Sequence, residues 1–274
     1  MPTIYVGDVR DRIKEIPDGF FNLHVSSFPY GSIKKYSDNP NEIGFGMTPQ
    51  EYYDSLECVL SEMVRTLATG SRMVINIGDE FLKANKKESY RVLSHSSEII
   101  SLIRRNHSST MDYTGTIRWE KVTTSNTSGG GKVMGSFHHP PNSHFFINHE
   151  HIITFRKKGK TPKSDYNYES RWTKEERKLW FKDRWSDISP IRQNGHIAQF
   201  PLEIPERIMR MYSRIGDKVG DVFIGSGTTA IAGKKLNRDV TGFELGFNVD
   251  EGTWQDYVLA KYEKETKEKD LIFK

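Results

Sequence analysis

The sequence predicts an α/β fold, a doubly wound and mostly parallel sheet with helices on both faces. Three observations carry this. Short stretches rich in β-branched and aromatic residues alternate with segments of helical period, the pattern of successive strand–helix–strand units. One such strand passes through a glycine-rich turn into a helix, at Asp221-Val222-Phe223-Ile224-Gly225-Ser226-Gly227-Thr228-Thr229-Ala230. No apolar run in the 274 residues approaches the roughly 18 needed to read as a membrane helix.

Taken in order, Thr3-Ile4-Tyr5-Val6 reads as a strand entering a turn at Gly7-Asp8. This start lacks the charged-then-apolar layout of a signal peptide, so a cytoplasmic protein is expected. Residues 19–27 form a buried strand that runs into Phe28-Pro29-Tyr30-Gly31, where Pro and Gly break the ladder. Thr48-Pro49-Gln50-Glu51 opens a helix with a capping box and Pro at its first position. Tyr52, Leu56, Val59, Leu60, Met63, Val64 and Leu67 follow its apolar face, and Gly70 closes it. A strand over 72–77, a helix over 90–104 and a strand over 114–119 follow. Residues 123–136, rich in Ser, Thr, Asn and Gly, read as a loop. Further on come a strand at 151–155, a helix at 201–212, a strand at 218–223, a helix at 227–235, a strand at 239–243 and a last helix at 253–262. The expected organisation is one domain in two halves, 1–156 and 193–274, with 157–192 inserted between them.

Composition narrows the function classes. Hydrophobic residues make up 35% and charged residues 28%, an ordinary soluble balance. The net charge of +4 alone does not indicate a polyanion partner. Its distribution says more: residues 156–192 hold 12 Lys/Arg against 6 Asp/Glu, interleaved with Tyr166, Tyr168, Trp172, Trp180, Phe181 and Trp185. That mixture suits phosphate contacts and base stacking, or equally a solvated segment held on the domain by its tryptophans. The single cysteine, Cys58, excludes an internal disulfide and a thiolate metal cluster. Within an amphipathic helix it is expected to be buried and inert. His138, His139 and His144 are expected to be structural or to contact phosphate rather than to bind metal.

The loop after the late strand is the sharpest local signal. Glycines let the backbone approach a ligand closely, and the following helix N-terminus favours a carboxylate or phosphate. Glu244 ends the next strand, 17 residues past Gly227, where a carboxylate can accept both ribose hydroxyls of an adenosine. Only 30 residues follow Glu244, too few for the second half of a dinucleotide fold, and the Gly-Lys-Ser/Thr of a phosphate loop is absent. The sheet still needs a strand beyond Glu244. The tail offers only a helix, so the N-terminal strand is expected there, with Asp8 at its end beside the adenine. Ligands of open parallel sheets bind beyond the carboxyl ends of the strands, so Ser27-Phe28-Pro29-Tyr30 and the 223–229 loop should meet at one cleft.

On these residues the chain resembles the amino-methylating DNA methyltransferases of the circularly permuted beta type, and more narrowly their N4-cytosine members. Their hallmark tetrapeptide is Ser-Pro-Pro-Tyr and their cofactor motif Asp-Pro-Phe-x-Gly-Ser-Gly-Thr-Thr. His196-Ile197-Ala198-Gln199-Phe200-Pro201 looks like the family's third cofactor-pocket motif, and Gly7-Asp8 its opening turn. The resemblance covers nearly the whole chain. It departs at Phe28, Val222 and Ile197, each standing where the family has proline.

The resemblance implies a Rossmann-like methyltransferase fold in permuted order, with S-adenosyl-L-methionine as cofactor. It implies that Asp8, His196, Phe200, Pro201, Asp221, Phe223, Gly225, Ser226, Gly227, Thr228, Thr229 and Glu244 form the cofactor site. Ser27, Phe28, Pro29 and Tyr30 would form the catalytic site. Ser27 Oγ and the Phe28 carbonyl would accept the amine hydrogens of a flipped cytosine, Pro29 would fix the turn, and Tyr30 would stack on the base. No metal is implied, and carbon-5 methylation, which needs a cysteine nucleophile, is not. The implied partners are double-stranded DNA, met by the segment 157–192 and the loop 123–143 as target-recognition elements, and a cognate restriction endonuclease, the protein acting as monomer or homodimer. N6-adenine in DNA, N4-cytidine in RNA, and a binding protein that keeps the cofactor fold without catalysis are the other readings.

Overall fold

The computed structural model describes residues 1–31, 34–82, 89–121, 147–161, 168–191 and 199–274. Along the chain run β1 (Thr3–Val6), α1 (Val9–Arg12), β2 (Phe21–Ser27), α2 (Pro49–Thr66), β3 (Leu67–Ile77), β4 (Glu80–Leu82), β5 (Arg91–Leu93), α3 (His95–Asn106), β6 (Met111–Glu120), β7 (His149–Lys157), α4 (Lys174–Trp180), β8 (Arg184–Trp185), α5 (Glu203–Tyr212), β9 (Lys218–Asp221), α6 (Thr228–Lys235), β10 (Asp239–Glu244), α7 (Trp254–Thr266) and β11 (Ile272–Phe273).

Among the described residues, nine strands form one sheet in the order β11-β1-β10-β9-β2-β3-β7-β6-β8. The run from β11 to β3 is parallel throughout. The β3–β7 and β7–β6 pairs are antiparallel, and β8 lies parallel to β6. The N-terminal strand pairs with β10, Val6 opposite Glu244, as the sequence required.

Alternation along the strands explains why both faces are covered. Met73, Ile75 and Ile77 join the buried face of α2 (Leu56, Val59, Leu60, Met63) and Ile99 and Ile103 of α3 in one core. Val74, between them in sequence, joins Ile152 and residues of α5, α6 and α7 in the other. The sheet is doubly wound for this reason. The expected capping box of α2 is present, Thr48 and Glu51 bonding reciprocally.

The structure corrects several expectations. Gly70 does not close α2: the helix ends at Thr66 and Leu67 is already extended, so β3 starts at once. Gly70 instead sits within β3 at φ +76°, where a side chain would meet the backbone of Thr161 at 2.5 Å. The expected helix over 90–104 is a short strand, β5, followed by α3. The helix start is displaced because Asp79, from another segment, caps it by accepting the Ser96 N–H at 3.1 Å, which local sequence cannot reveal. The tail is not helix alone, for β11 adds an edge strand beside β1. Cys58 is exposed on α2 rather than buried.

In the 157–192 segment, the described part is anchored rather than free. β7 runs to Lys157, and β8 joins the main sheet. Trp185 is fully buried, and Trp119 Nε1 donates to the Ile188 carbonyl at 2.9 Å. Arg210 of α5 pairs with Glu176 at 2.9 Å, and Trp172 Nε1 donates to the Arg210 carbonyl at 2.6 Å. Trp185 therefore cannot stack on a base in this conformation, whereas Trp172 and Phe181 are exposed. Tyr166, the loop 123–143 with His138 and His139, and His144 lie outside the described residues.

Candidate active site

The carboxyl ends of β1, β2, β9 and β10 reach the same side of the sheet, and the residues that follow them line one cavity. Its wall includes Asp8 after β1, Ser27, Phe28, Pro29 and Tyr30 after β2, Phe223, Gly225, Ser226 and Thr228 after β9, and Glu244 at the end of β10. The cleft expected between the tetrapeptide and the glycine loop is therefore present. One contact joins the residues just before each, and another joins the two directly. Ser26 Oγ accepts the Val222 N–H at 2.8 Å, and the Phe28 and Phe223 rings meet edge to face at 5.2 Å.

The loop's shape follows from its residues. Gly225 (φ +49°) and Gly227 (φ +79°) occupy left-handed backbone, and Gly227 is the N-cap of α6. Asp221 lies fully buried under the turn, its Oδ1 accepting the Phe223 N–H at 3.1 Å. Burial raises its carboxyl to about 6, although the nearby Thr229 and Ser26 hydroxyls and the Phe223 N–H oppose the rise. Glu244 accepts the Gly225 N–H at 2.8 Å through one oxygen and the Gly246 N–H at 2.9 Å through the other. Burial raises this carboxyl to about 7 against those two bonds. A carboxylate has about four acceptor sites, so each Glu244 oxygen keeps capacity for a ligand hydroxyl.

Asp8 caps α1 by accepting the Arg10 N–H at 2.9 Å and pairs with the Arg10 guanidinium at 2.5 Å. Burial would raise its carboxyl, but the bonds and charge of Arg10 outweigh that and hold it below its ordinary value. Phe200 is buried and lines the cavity. Pro201 does not line it; its carbonyl accepts the Ile204 N–H at 3.1 Å at the start of α5. Asp221, Gly227 and Thr229 likewise shape the loop from beneath without lining the cavity. His196 lies outside the described residues.

The tetrapeptide is held by neighbours that sequence reasoning did not single out. The Phe28 N–H donates to the Asn76 carbonyl at 3.0 Å, and the Phe28 ring is core, 1% exposed. The Pro29 carbonyl accepts the Tyr52 hydroxyl at 2.6 Å. Asn76 Nδ2 donates to Ser27 Oγ at 3.3 Å and to Glu150 Oε2 at 2.8 Å. Glu150, 3% exposed, also accepts the Tyr30 hydroxyl at 2.8 Å and pairs with Lys121. Burial, then the adjacent Glu150 charge, pushes the Tyr30 phenol well above its ordinary value. A faint signal existed for Asn76, a polar residue between Ile75 and Ile77, which calls for a buried partner; Glu150, flanked by His149 and His151, gave none. Lys261 of α7, which binds the hydroxyls of the glycine loop, was also missed.

A parallel sheet ending in a glycine-turned loop, a strand-end carboxylate and a shared cleft defines an α/β enzyme built around an adenosine-bearing cofactor. The chain belongs to the N6/N4 type of the DNA methylase family, whose model matches residues 21–249. It is 32% identical, over 88% of its length and 86% of the other, to the type II methyltransferase M.MjaI of Methanocaldococcus jannaschii. Among solved structures, a putative DNA modification methylase of Thermus thermophilus, complexed with S-adenosyl-L-methionine, is 27% identical over the full length of both chains, with a TM-score of 0.74. The cytosine-N4-specific PvuII DNA methyltransferase shares the fold, with a TM-score of 0.65 at 16% identity over 99% of this chain and 94% of that one. No helix among the described residues is long and apolar enough to cross a membrane.

Proposed function

We propose that the methyl acceptor of this S-adenosyl-L-methionine-dependent DNA methyltransferase is the exocyclic N4 of a cytosine flipped out of duplex DNA. The observation that carries the reading is Ser27, at the first position of the tetrapeptide, on the wall of the cavity that the glycine loop also lines. The permuted order of the resembling family agrees with it, since the glycine loop comes late and β1 lies beside β10.

The residues present fit the cofactor. Phe200, Leu245 and Phe247 give an apolar wall for an adenine, Glu244 offers acceptors for ribose hydroxyls, and Ser226 and Thr228 offer polar groups for the amino-acid end. When bound, S-adenosyl-L-methionine supplies a methyl group activated by its positively charged sulfur. The protein must make a poor nucleophile attack it, because the cytosine amine's lone pair is delocalised into the ring. Ser27 Oγ and the Phe28 carbonyl accept the two amine hydrogens and draw the nitrogen toward tetrahedral geometry. Asn76 occupies one Ser27 lone pair and fixes the hydroxyl's direction. The Tyr30 ring, tethered through its hydroxyl to Glu150, offers a face for the base. Positioning and exclusion of water supply most of the acceleration in such a site. Flipping the base costs on the order of a few kcal/mol, which contacts from the 157–192 segment and the 123–143 loop offset. A restriction endonuclease reading the same DNA sequence is the proposed partner, the methylase itself acting as monomer or homodimer.

Transfer of tritium from labelled cofactor to duplex DNA and to RNA, followed by nucleoside mass spectrometry, tests this directly. N4-methylcytosine in DNA is expected. N6-methyladenine would overturn the choice of base, and a product found only in RNA would overturn the choice of nucleic acid. Cofactor binding without transfer to any substrate would leave a binding protein in place of an enzyme.

A further inference from the structure

Lys261 projects from α7 to the back of the glycine loop. Its Nζ lies 2.8 Å from Ser226 Oγ, 3.0 Å from Thr228 Oγ1 and 2.8 Å from Gln199 Oε1. An ammonium has three donors and no acceptor, so the three neutral oxygens use all of them. Each of its three bonded partners is neutral. Both hydroxyl-bearing partners are themselves buried, Ser226 at 4% and Thr228 at 5% exposure. A cation held among neutral groups is costly unless an anion completes the site. Burial lowers this ammonium to about 8, only weakly opposed by the charge of Glu265 on the same helix. At neutral pH it still carries its proton.

The direction of these bonds has a consequence for the loop. Each hydroxyl has one hydrogen and two acceptor lone pairs. With Lys261 donating to both oxygens, their acceptor side is engaged and their hydrogens are left to point elsewhere. Even if one hydroxyl donates to the other across the 3.3 Å between them, one hydrogen remains. Ser226, Thr228 and Gln199 line the cavity, whereas Lys261 does not, so the lysine acts through them. Gln199 is turned in the same sense, since its oxygen faces Lys261 and its Nε2 donates to the Tyr257 hydroxyl at 2.9 Å.

We infer that Lys261 is a positioning residue that turns the Ser226 and Thr228 hydroxyls into donors and supplies the countercharge for the carboxylate of the cofactor's amino-acid end. The inference rests on S-adenosyl-L-methionine being the cofactor. The N-terminus of α6, beginning at Thr228, adds the favourable end of a helix dipole at the same place.

Isothermal titration of Lys261→Met, Lys261→Gln and Ser226→Ala with two ligands tests it. One ligand is S-adenosyl-L-methionine; the other is its decarboxylated form, which keeps the adenosine, sulfonium and amine but lacks the carboxylate. Wild type should bind the carboxylate-bearing ligand more tightly. Each lysine substitution should weaken that ligand by about tenfold or more, the scale of a lost charge-assisted hydrogen bond. Affinity for the decarboxylated ligand should stay within about threefold of wild type, a change of well under 1 kcal/mol. Ser226→Ala combined with Lys261→Met should cost less than the two single losses together, since both remove one bonded unit. Equal weakening of both ligands would overturn the inference and leave Lys261 a structural prop. No weakening of either would overturn it as well. Wild type binding neither ligand would instead overturn the cofactor on which it rests. A thermal melt of each variant separates a folding defect from a binding one.

Discussion

Replacing Phe28 with proline would restore the tetrapeptide typical of the resembling family, and the structure says that this protein should tolerate it badly. The Phe28 ring is 1% exposed, among the largest fully buried side chains, and meets Phe223 edge to face at 5.2 Å. Truncating a buried phenylalanine to alanine costs about 3–5 kcal/mol. Proline restores roughly two methylenes, worth about 1–2 kcal/mol. It also removes the amide that donates to the Asn76 carbonyl at 3.0 Å. Losing that bond and leaving a buried carbonyl unpaired costs about 1–3 kcal/mol. Gain and loss nearly cancel, so Phe28→Pro and Phe28→Ala should both lose about 3–5 kcal/mol. Their melting temperatures should fall by roughly 6–10 °C for a domain of this size. Phe28→Leu, which keeps the amide and much of the volume, should lose about 1.5 kcal/mol or less. Calorimetric melts and urea titrations of the three variants give the assay. A Phe28→Pro protein melting within about 2 °C of wild type would refute the reasoning, because neither the ring nor the amide would then matter.

Ser27→Ala should lower turnover at least about tenfold, a floor below the roughly 10²–10³ that one preorganised polar group contributes, with cofactor affinity by titration nearly unchanged. Unchanged turnover would remove Ser27 from the chemistry. Glu244→Gln should change how stability depends on pH. A carboxyl raised from 4.5 to about 7 on folding favours the native state fully below pH 4.5, and that contribution is lost as pH rises toward 7. Wild type should therefore lose stability relative to Glu244→Gln across that window in urea titrations, and a slope of the opposite sign would show that the carboxyl is not raised. A donor clash between the new amide and the Gly225 or Gly246 N–H would offset all pH values equally. Gly242→Ala should destabilise by about 1–3 kcal/mol, an overpacking cost, because its Cβ would stand 2.3 Å from Ile224 Cδ1. A variant as stable as wild type would mean that Ile224, which also lines the cavity, has room to move.

Much of the site was legible because its signals are local. Glycines forced into left-handed backbone, a carboxylate at the end of the following strand, and the break at Phe28-Pro29 each follow from a few consecutive residues. They placed the two loops correctly, and even required β1 beside β10, because the sheet needed a strand the tail did not promise. Element ends were less legible where a distant residue decides them. Asp79 caps α3 from another segment, and the helix-to-strand passage at Leu67 is stabilised by sheet pairing rather than by a stop signal.

The order of residues along the chain was enough for an α/β sheet, a late glycine-turned loop, a carboxylate at the end of the following strand, and a break at Phe28-Pro29 after a buried strand. Those are consequences of backbone sterics and period, which neighbours in the chain impose. It took the folded molecule to show that Asn76 and Glu150 hold Ser27 and Tyr30, that Trp185 is core while Cys58 is exposed, and that Lys261 stands behind Ser226 and Thr228. Each depends on groups dozens or more residues apart meeting across the fold, where burial makes an unmatched polar group costly and so dictates its partner.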